Sequence, residues 1–161
     1  AVDRVATILD ELGYHRYMIE IGGEVRTFGT NAEGHPWRIG IERPLSYTRE
    51  VQRIVELKDC SISTSGDYRN YYEKDGVRIS HTIDPRTAKP ITHTLASVTV
   101  AYPSCTLADA YATTLMVLGP DEGMNFAERF SLPVLFIVRT SPDVFSEKTS
   151  SAWREQFSGI N

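Results

Sequence analysis

Apolar residues recur along this chain in two periods, and the switches between them set the expected elements. Val2, Val5, Ala6, Leu9 and Leu12 follow the spacing of one helical face, with Gly13 where a C-terminal cap belongs, which predicts an amphipathic helix over residues 2–12. Arg16 to Ile21 and Glu24 to Phe28 are strand-like runs divided by Gly22-Gly23, the mark of a tight hairpin. Asn31-Ala32-Glu33-Gly34 makes a turn, after which Trp37, Ile39 and Ile41 alternate as a third strand that Pro44 ends. Val51 to Leu57 fits either period, and its β-branched content favours strand. Ser61 to Gly66 is small and polar; it reads as a loop, or as a backbone cradle for phosphate or carbonyl oxygens.

Tyr71 to Ile79 is expected to be a hairpin turning at Lys74-Asp75-Gly76, and Leu95 to Tyr102 alternates as a further strand. A helix over 106–119 follows, with Leu107, Ala110, Tyr111, Thr114, Leu115 and Leu118 as its apolar face and Gly119-Pro120 as its stop. A second helix from about Glu122 to Phe130 precedes the strongly apolar strand Leu132 to Arg139. Residues after Ser141 are polar, with a short helix near Trp153 to Phe157. No repeat or low-complexity linker divides the chain. The pattern predicts an α+β fold, a mostly antiparallel sheet packed with helices, in a single domain over residues 1–161.

Composition narrows the function classes. The 161 residues can bury one sizeable core, and a net charge of −4 without a basic run argues against nucleic acid as a partner. The longest apolar stretch, around Leu132 to Val138, is too short to span a bilayer, and no signal peptide is recognisable. Cys60 and Cys105 lack metal-ligand spacing and read as buried thiols or one disulfide. There is no initiator Met, and helical periodicity begins at Val2 with no residue to cap it. We therefore expect a piece of a longer chain, with apolar surface left uncovered and a tendency to self-associate.

Two stretches carry chemistry. Asp109 and Thr113 are four residues apart on one helical face, about 5–6 Å from each other at Cβ. A carboxylate and a hydroxyl aimed at one point suit a hard cation such as Mg²⁺, which takes few protein ligands and leaves room for water and phosphates. The alternative is an exposed aspartate in the first turn and a threonine used for packing. The second stretch, ISHTIDPRTAKPI, gathers His81, Asp84, Pro85, Arg86 and Pro90 in one short segment. It reads equally as a rigid loop bearing a site or as a turn in which Asp84 caps local N–H groups and pairs with Arg86. His15, His35 and His93 read as surface residues; Tyr68, Tyr71 and Tyr72 read as packing, or as partners for a flat ring.

Taken together, AVDRVATILDELGYHRYMIEIGGEVRTFG, WRIGIERP, STSGDYRN, SHTIDPRTAKPI and TLADAYATTLMVLGP resemble, in order and spacing, the ApbE family of FAD:protein FMN transferases. The resemblance covers nearly all of this chain and about the C-terminal half of such a protein. It implies a Mg²⁺-dependent enzyme that takes FAD as substrate, joins FMN to a threonine or serine hydroxyl of a target protein and releases AMP. Some members hydrolyse FAD to FMN and AMP instead. By matching motifs, Asp109 and Thr113 would be metal ligands, His81 would serve substrate binding and catalysis, and Ile83 would contact FAD. Gly22, Gly23 and Glu24 would lie close to the flavin. Ala112 stands where some relatives have an aspartate, which implies one fewer carboxylate at the metal. Ala88 stands in place of a common glycine. Many members are lipoproteins on the periplasmic side of the bacterial inner membrane, and that location is expected here. Against the enzyme stand a non-catalytic flavin or nucleotide-binding module and a fragment inactive without its missing half.

Overall fold

The chain is built on a six-stranded antiparallel sheet in which the two most apolar strands lie inside. The computed structural model describes residues 1–68, 71–74 and 77–158. In chain order the elements are α1 (Val2–Glu11), β1 (Tyr17–Ile21), β2 (Glu24–Phe28), β3 (Trp37–Glu42), β4 (Val51–Leu57) and β5 (Ser61–Gly66). They continue as β6 (Tyr71–Lys74), β7 (Val77–Ser80), β8 (Ile83–Asp84), β9 (Lys89–Pro90) and β10 (Leu95–Tyr102). Last come α2 (Cys105–Arg129), β11 (Val134–Ser141), β12 (Val144–Thr149) and α3 (Ser151–Gln156). The large sheet has the order β1-β2-β5-β10-β11-β12, and β3-β4, β6-β7 and β8-β9 are separate two-stranded pairs.

Both faces of the sheet are covered, so β10 and β11 are buried on both sides; β11 is apolar on each from Val134 to Val138, whereas β10 places the buried Ser97 and Thr99 beside its valines. Val98, Val100, Val134, Phe136 and Val138 pack with Ala112, Leu115 and Met116 of α2 on one face. Ala101, Leu135 and Ile137 pack on the other with Ile41, Val55 and Leu57 from the β3-β4 pair and with Trp153 of α3. Burying each such aliphatic side chain contributes roughly 1.5–3 kcal/mol, so this two-sided centre is where most of the stability resides.

Several expectations are corrected here. Ser61 to Gly66 is a strand in the middle of the sheet, pairing with β10 from Ser61↔Tyr102 to Gly66↔Ser97. Ser61 and Ser63 are polar yet buried, 0% and 1% exposed, because backbone pairing and not side-chain hydrophobicity holds them. Val144 to Thr149 is an edge strand whose alternating exposure the polar sequence concealed. The buried face of α2 runs through Cys105, Ala108, Ala112, Leu115 and Met116, whereas Leu107, Ala110 and Thr114 are exposed. The 25-residue span of α2 is two helices across a break at Gly119 (φ 80°, ψ −177°), next to Pro120. The β6-β7 hairpin is present, with Lys74 opposite Val77, while Asp75 and Gly76 lie outside the described residues. Both cysteines are free and buried.

Candidate functional site

The site lies where the sheet comes apart. β5 pairs with β10 over six residues but with β2 at only two, Ile62↔Val25 and Ser61↔Arg26. Beyond them Thr64, Ser65 and Gly66 have no ladder partner on the β2 side among the described residues, and a cleft of about 650 Å³ opens there. The β1-β2 turn supplies Glu20, Gly22, Gly23 and Glu24 to one wall, β3 supplies Arg38 to Glu42, and α2 supplies Asp109, Thr113 and Met116. His81 and Thr82 enter from the segment before β8.

Residues proposed from three distant stretches of sequence thus meet at one place. Gly22, Gly23, Glu24, His81, Asp109 and Thr113 all line the cleft. Ile83 does not; it pairs with Pro90 in the short β8-β9 ladder, beside the lining residue Thr82, with its side chain 49% exposed. Asp109 lies beyond the first turn of α2, which begins at Cys105. Ala112 is fully buried in the core beneath α2 and is not among the residues that line the cleft.

Local chemistry fixes each contributor. Gly22 and Gly23 have φ of +70° and +104°, and the N–H of Gly23 donates to Glu20 Oε1 at 2.8 Å. The start of α2 is held by Asp3 of α1, whose carboxylate accepts from the backbone of Cys105 (3.0 Å) and Thr106 (2.9 Å) and from Ser104 Oγ (2.9 Å). Burial alone would raise the Asp3 carboxyl, but these donors outweigh it and hold it well below the usual carboxylate range. Arg26 also binds Asp3, at 2.9 Å. Ser104 accepts from Leu107 N–H as the N-cap, so the first N–H groups of the helix all have partners. In the His81 segment, Asp84 accepts from the Arg86 backbone (2.8 Å) and pairs with its guanidinium, which reaches Glu122 of α2 at 3.0 Å. The turn reading of Asp84 and Arg86 therefore holds, while His81 lies exposed on the cleft and outside any strand.

The electrostatics are acidic. Burial pushes the Glu24 carboxyl up, its own backbone N–H opposes that, and the negative charges of Asp109 and Glu20 push it further up. A cation in the cleft would relieve this repulsion. On α2 and β5 the donors are oxygens: the Asp109 carboxylate, the Thr113 hydroxyl, and the Ser65 hydroxyl 3.3 Å from it. Among the described residues no group of three or more His, Cys, Asp or Glu could hold a metal by itself. This set fits Mg²⁺, which needs few protein ligands, and not a closed zinc site. The Cys105 thiol is pushed up to about 11 by burial and by the charges of Asp3, Glu24 and Asp109, and takes no part.

Periodicity did not point to Ser65, Thr64 or Arg38. Arg38 to Glu42 line the cleft without a break, so alternation along β3 does not single Arg38 out either. Tyr68 is buried and packs on Gly66, where an added Cβ would lie 2.5 Å from its ring. His93 is partly buried against the break in α2 and is not a surface residue.

The fold and the site define an antiparallel α+β protein with an acidic, oxygen-lined cleft at a gap in its sheet. The chain belongs to the ApbE family, whose pattern matches residues 1–136. It is 53% identical over 153 residues to the FAD:protein FMN transferase of Vibrio cholerae, covering 95% of this chain and 46% of that protein. Against the Haemophilus influenzae protein of the same name the identity is 45%, covering 96% of this chain and 44% of the relative. The apo crystal structure of Pseudomonas stutzeri flavinyl transferase ApbE superposes with a TM-score of 0.86 at 44% identity, over 99% of this chain and 49% of the other. The flavin transferase ApbE from Vibrio cholerae gives 0.84 at 51% identity, over 96% and 48%. The chain thus spans about half the length of the relatives it matches.

Proposed function

We propose that this chain carries the metal- and histidine-bearing half of an FAD:protein FMN transferase, which moves FMN from FAD to a threonine or serine hydroxyl of a target protein and releases AMP. The observation that carries the reading is the convergence of the Gly22-Gly23 turn, Glu24, His81, Asp109 and Thr113 on one cleft. Relatives bearing that name match over nearly the whole chain.

Asp109 and Thr113 would hold Mg²⁺, with Ser65 orienting the Thr113 hydroxyl from 3.3 Å. When bound, the ion neutralises charge on the pyrophosphate and on the departing AMP. The residues of the chain supply position and a proton acceptor. The Gly22-Gly23 turn, with no side chains, lets a flat or anionic group approach the backbone closely. His81, exposed on the cleft wall, takes the proton of the acceptor hydroxyl as its oxygen bonds to the FMN phosphorus; the bond from that phosphorus to the AMP oxygen breaks. The acidic wall of Glu20 and Glu24 disfavours a bare anion, so binding of FAD depends on the cation.

Isothermal titration of FAD into this chain, with and without Mg²⁺, tests the reading. Mg²⁺-dependent binding that Asp109→Ala removes, with the fold unchanged by circular dichroism, is expected. Binding indifferent to Mg²⁺ and to Asp109→Ala would remove that residue from the role. Absence of FAD binding with Mg²⁺ present would overturn the proposal that this half carries the affinity. Where binding is found, FMN transfer to a threonine-bearing target follows, with His81→Gln expected to lower turnover about 100-fold or more.

A further inference from the structure

In an unbroken α-helix the carbonyl of Met116 would accept from the N–H of residue 120. Residue 120 is proline and has no N–H, and Gly119 turns the chain out of helical geometry with φ 80°. Met116 is fully buried, so its carbonyl needs a partner from elsewhere. The partner is His93, whose Nε2 lies 2.8 Å from the Met116 oxygen. A carbonyl only accepts, so Nε2 carries the proton; Nδ1 is then the acceptor for the Leu95 N–H at 3.3 Å. The ring also fills the space beside the break: a Cβ on Gly119 would lie 2.7 Å from His93 Cδ2.

We propose that His93 is a positioning residue of the cleft, replacing the N–H that Pro120 lacks and so fixing the end of the helical segment that presents Asp109 and Thr113. The role in metal binding rests on the reading under Proposed function; the role at the break does not. Met116 itself lines the cleft, one turn beyond Thr113, so movement at this end displaces the site directly. His93 also belongs to the stretch that closes the His81 segment, where Ile91 N–H donates to the Thr82 carbonyl at 3.1 Å. Arg86 ties the same segment to Glu122 on the far side of the break. The segment bearing His81 is thereby pinned to α2 on both sides of Gly119, and His93 sets the register between the two.

Two variants separate the donor from the shape. His93→Gln keeps a side-chain N–H donor, and His93→Phe keeps a ring against Gly119 without one. Amide hydrogen exchange over residues 113–118 is expected to quicken about tenfold in His93→Phe relative to β10 and to stay near wild type in His93→Gln. Wild-type exchange in both variants, or equal acceleration in both, overturns the proposal. Should His93→Phe fail to fold, ¹⁵N correlation spectra of wild-type His93 decide: protonated Nε2 with bare Nδ1 supports the assignment, and protonated Nδ1 overturns it. In Mg²⁺ titrations followed at the Asp109 and Thr113 amides, the dissociation constant is expected to rise about tenfold in His93→Phe and to recover in His93→Gln. An unchanged constant in His93→Phe overturns the positioning role. A wild-type chain with the expected exchange pattern but no response to Mg²⁺ overturns the magnesium reading and supports His93 at the break.

Discussion

Asp3→Ala removes the side chain that hydrogen-bonds the first helix of the chain to the helix bearing Asp109 and Thr113. Its carboxylate accepts from two backbone N–H groups of α2, from Ser104 Oγ and from Arg26. Loss of such a cap costs about 1 kcal/mol. The Arg26 pair, with side chains 25% and 28% exposed, adds about 1 kcal/mol because both ends are partly withdrawn from water. Ser104 still caps Leu107, which limits the damage to the first two N–H groups. The sum, about 2 kcal/mol, corresponds to a fall of roughly 4–8 °C in Tm for a chain of this size. Urea unfolding followed by the fluorescence of Trp37 and Trp153 measures it. The donors hold the Asp3 carboxyl below its ordinary range, so its contribution is present above the unfolded value, about 3.9, and is lost as pH falls toward the lower folded value. The gap between wild type and Asp3→Ala must therefore narrow from about pH 5 downward. A gap under about 0.5 kcal/mol at neutral pH, or one that does not narrow in acid, would refute the reasoning.

Three further outcomes follow from positions outside the cleft. Ala88 has φ 56°, a conformation that disfavours any side chain, so Ala88→Gly is expected to stabilise the chain by about 0.5–1 kcal/mol in the same urea assay; a loss of stability would show that the turn is not strained. Burial pushes both thiols up, so a thiol reagent at mildly alkaline pH should label unfolded chain fast and native chain slowly at both Cys60 and Cys105; rapid native labelling counts against their burial. Val5 and Ile8 of α1 and Leu12 at its C-cap are 37%, 42% and 67% exposed, which favours self-association at high concentration; a single-chain mass by light scattering would refute that.

Elements with a strong period were legible in the sequence, and the rest were hidden for identifiable reasons. The 2–12 helix, the hairpin at Gly22-Gly23 and the strands at 95–102 and 132–139 coincide with α1, β1-β2, β10 and β11 to within two residues. Each buries a regular face. Ser61 to Gly66 was hidden because a strand inside a sheet can be held by its backbone while α2 and the ring of Tyr68 press on small side chains. The apolar face of α2 was misassigned because alanines at 108 and 112 approach the sheet, while the larger Leu107, which suggested the core, is 44% exposed. Within the site, Asp109 and Thr113 were legible because i and i+4 lie on one helical face whatever else packs around them. Ser65 was not, since its approach to Thr113 depends on strand order, which periodicity does not carry.

Placing a site at a gap in a sheet has a structural cost that the rest of the chain has to meet. Where β2 leaves β5, no ladder hydrogen bonds among the described residues hold the cleft walls together, so the relative positions of Asp109, Thr113 and His81 depend on contacts outside the sheet. Those contacts are found at both ends of the first part of α2. Asp3 and Ser104 fix where it starts, and His93 occupies the carbonyl at its end. Between these ends lie Asp109 and Thr113, at the middle of a segment whose inner face is fully buried. A segment held in this way can translate along its axis only by breaking a cap, and a shift of one residue would rotate Asp109 by about 100° away from the cleft. The caps therefore select the helical register that points a carboxylate and a hydroxyl at the Gly22-Gly23 turn, and the polar residues Asp3 and His93, far from Asp109 in sequence, bear on that geometry as directly as the core does.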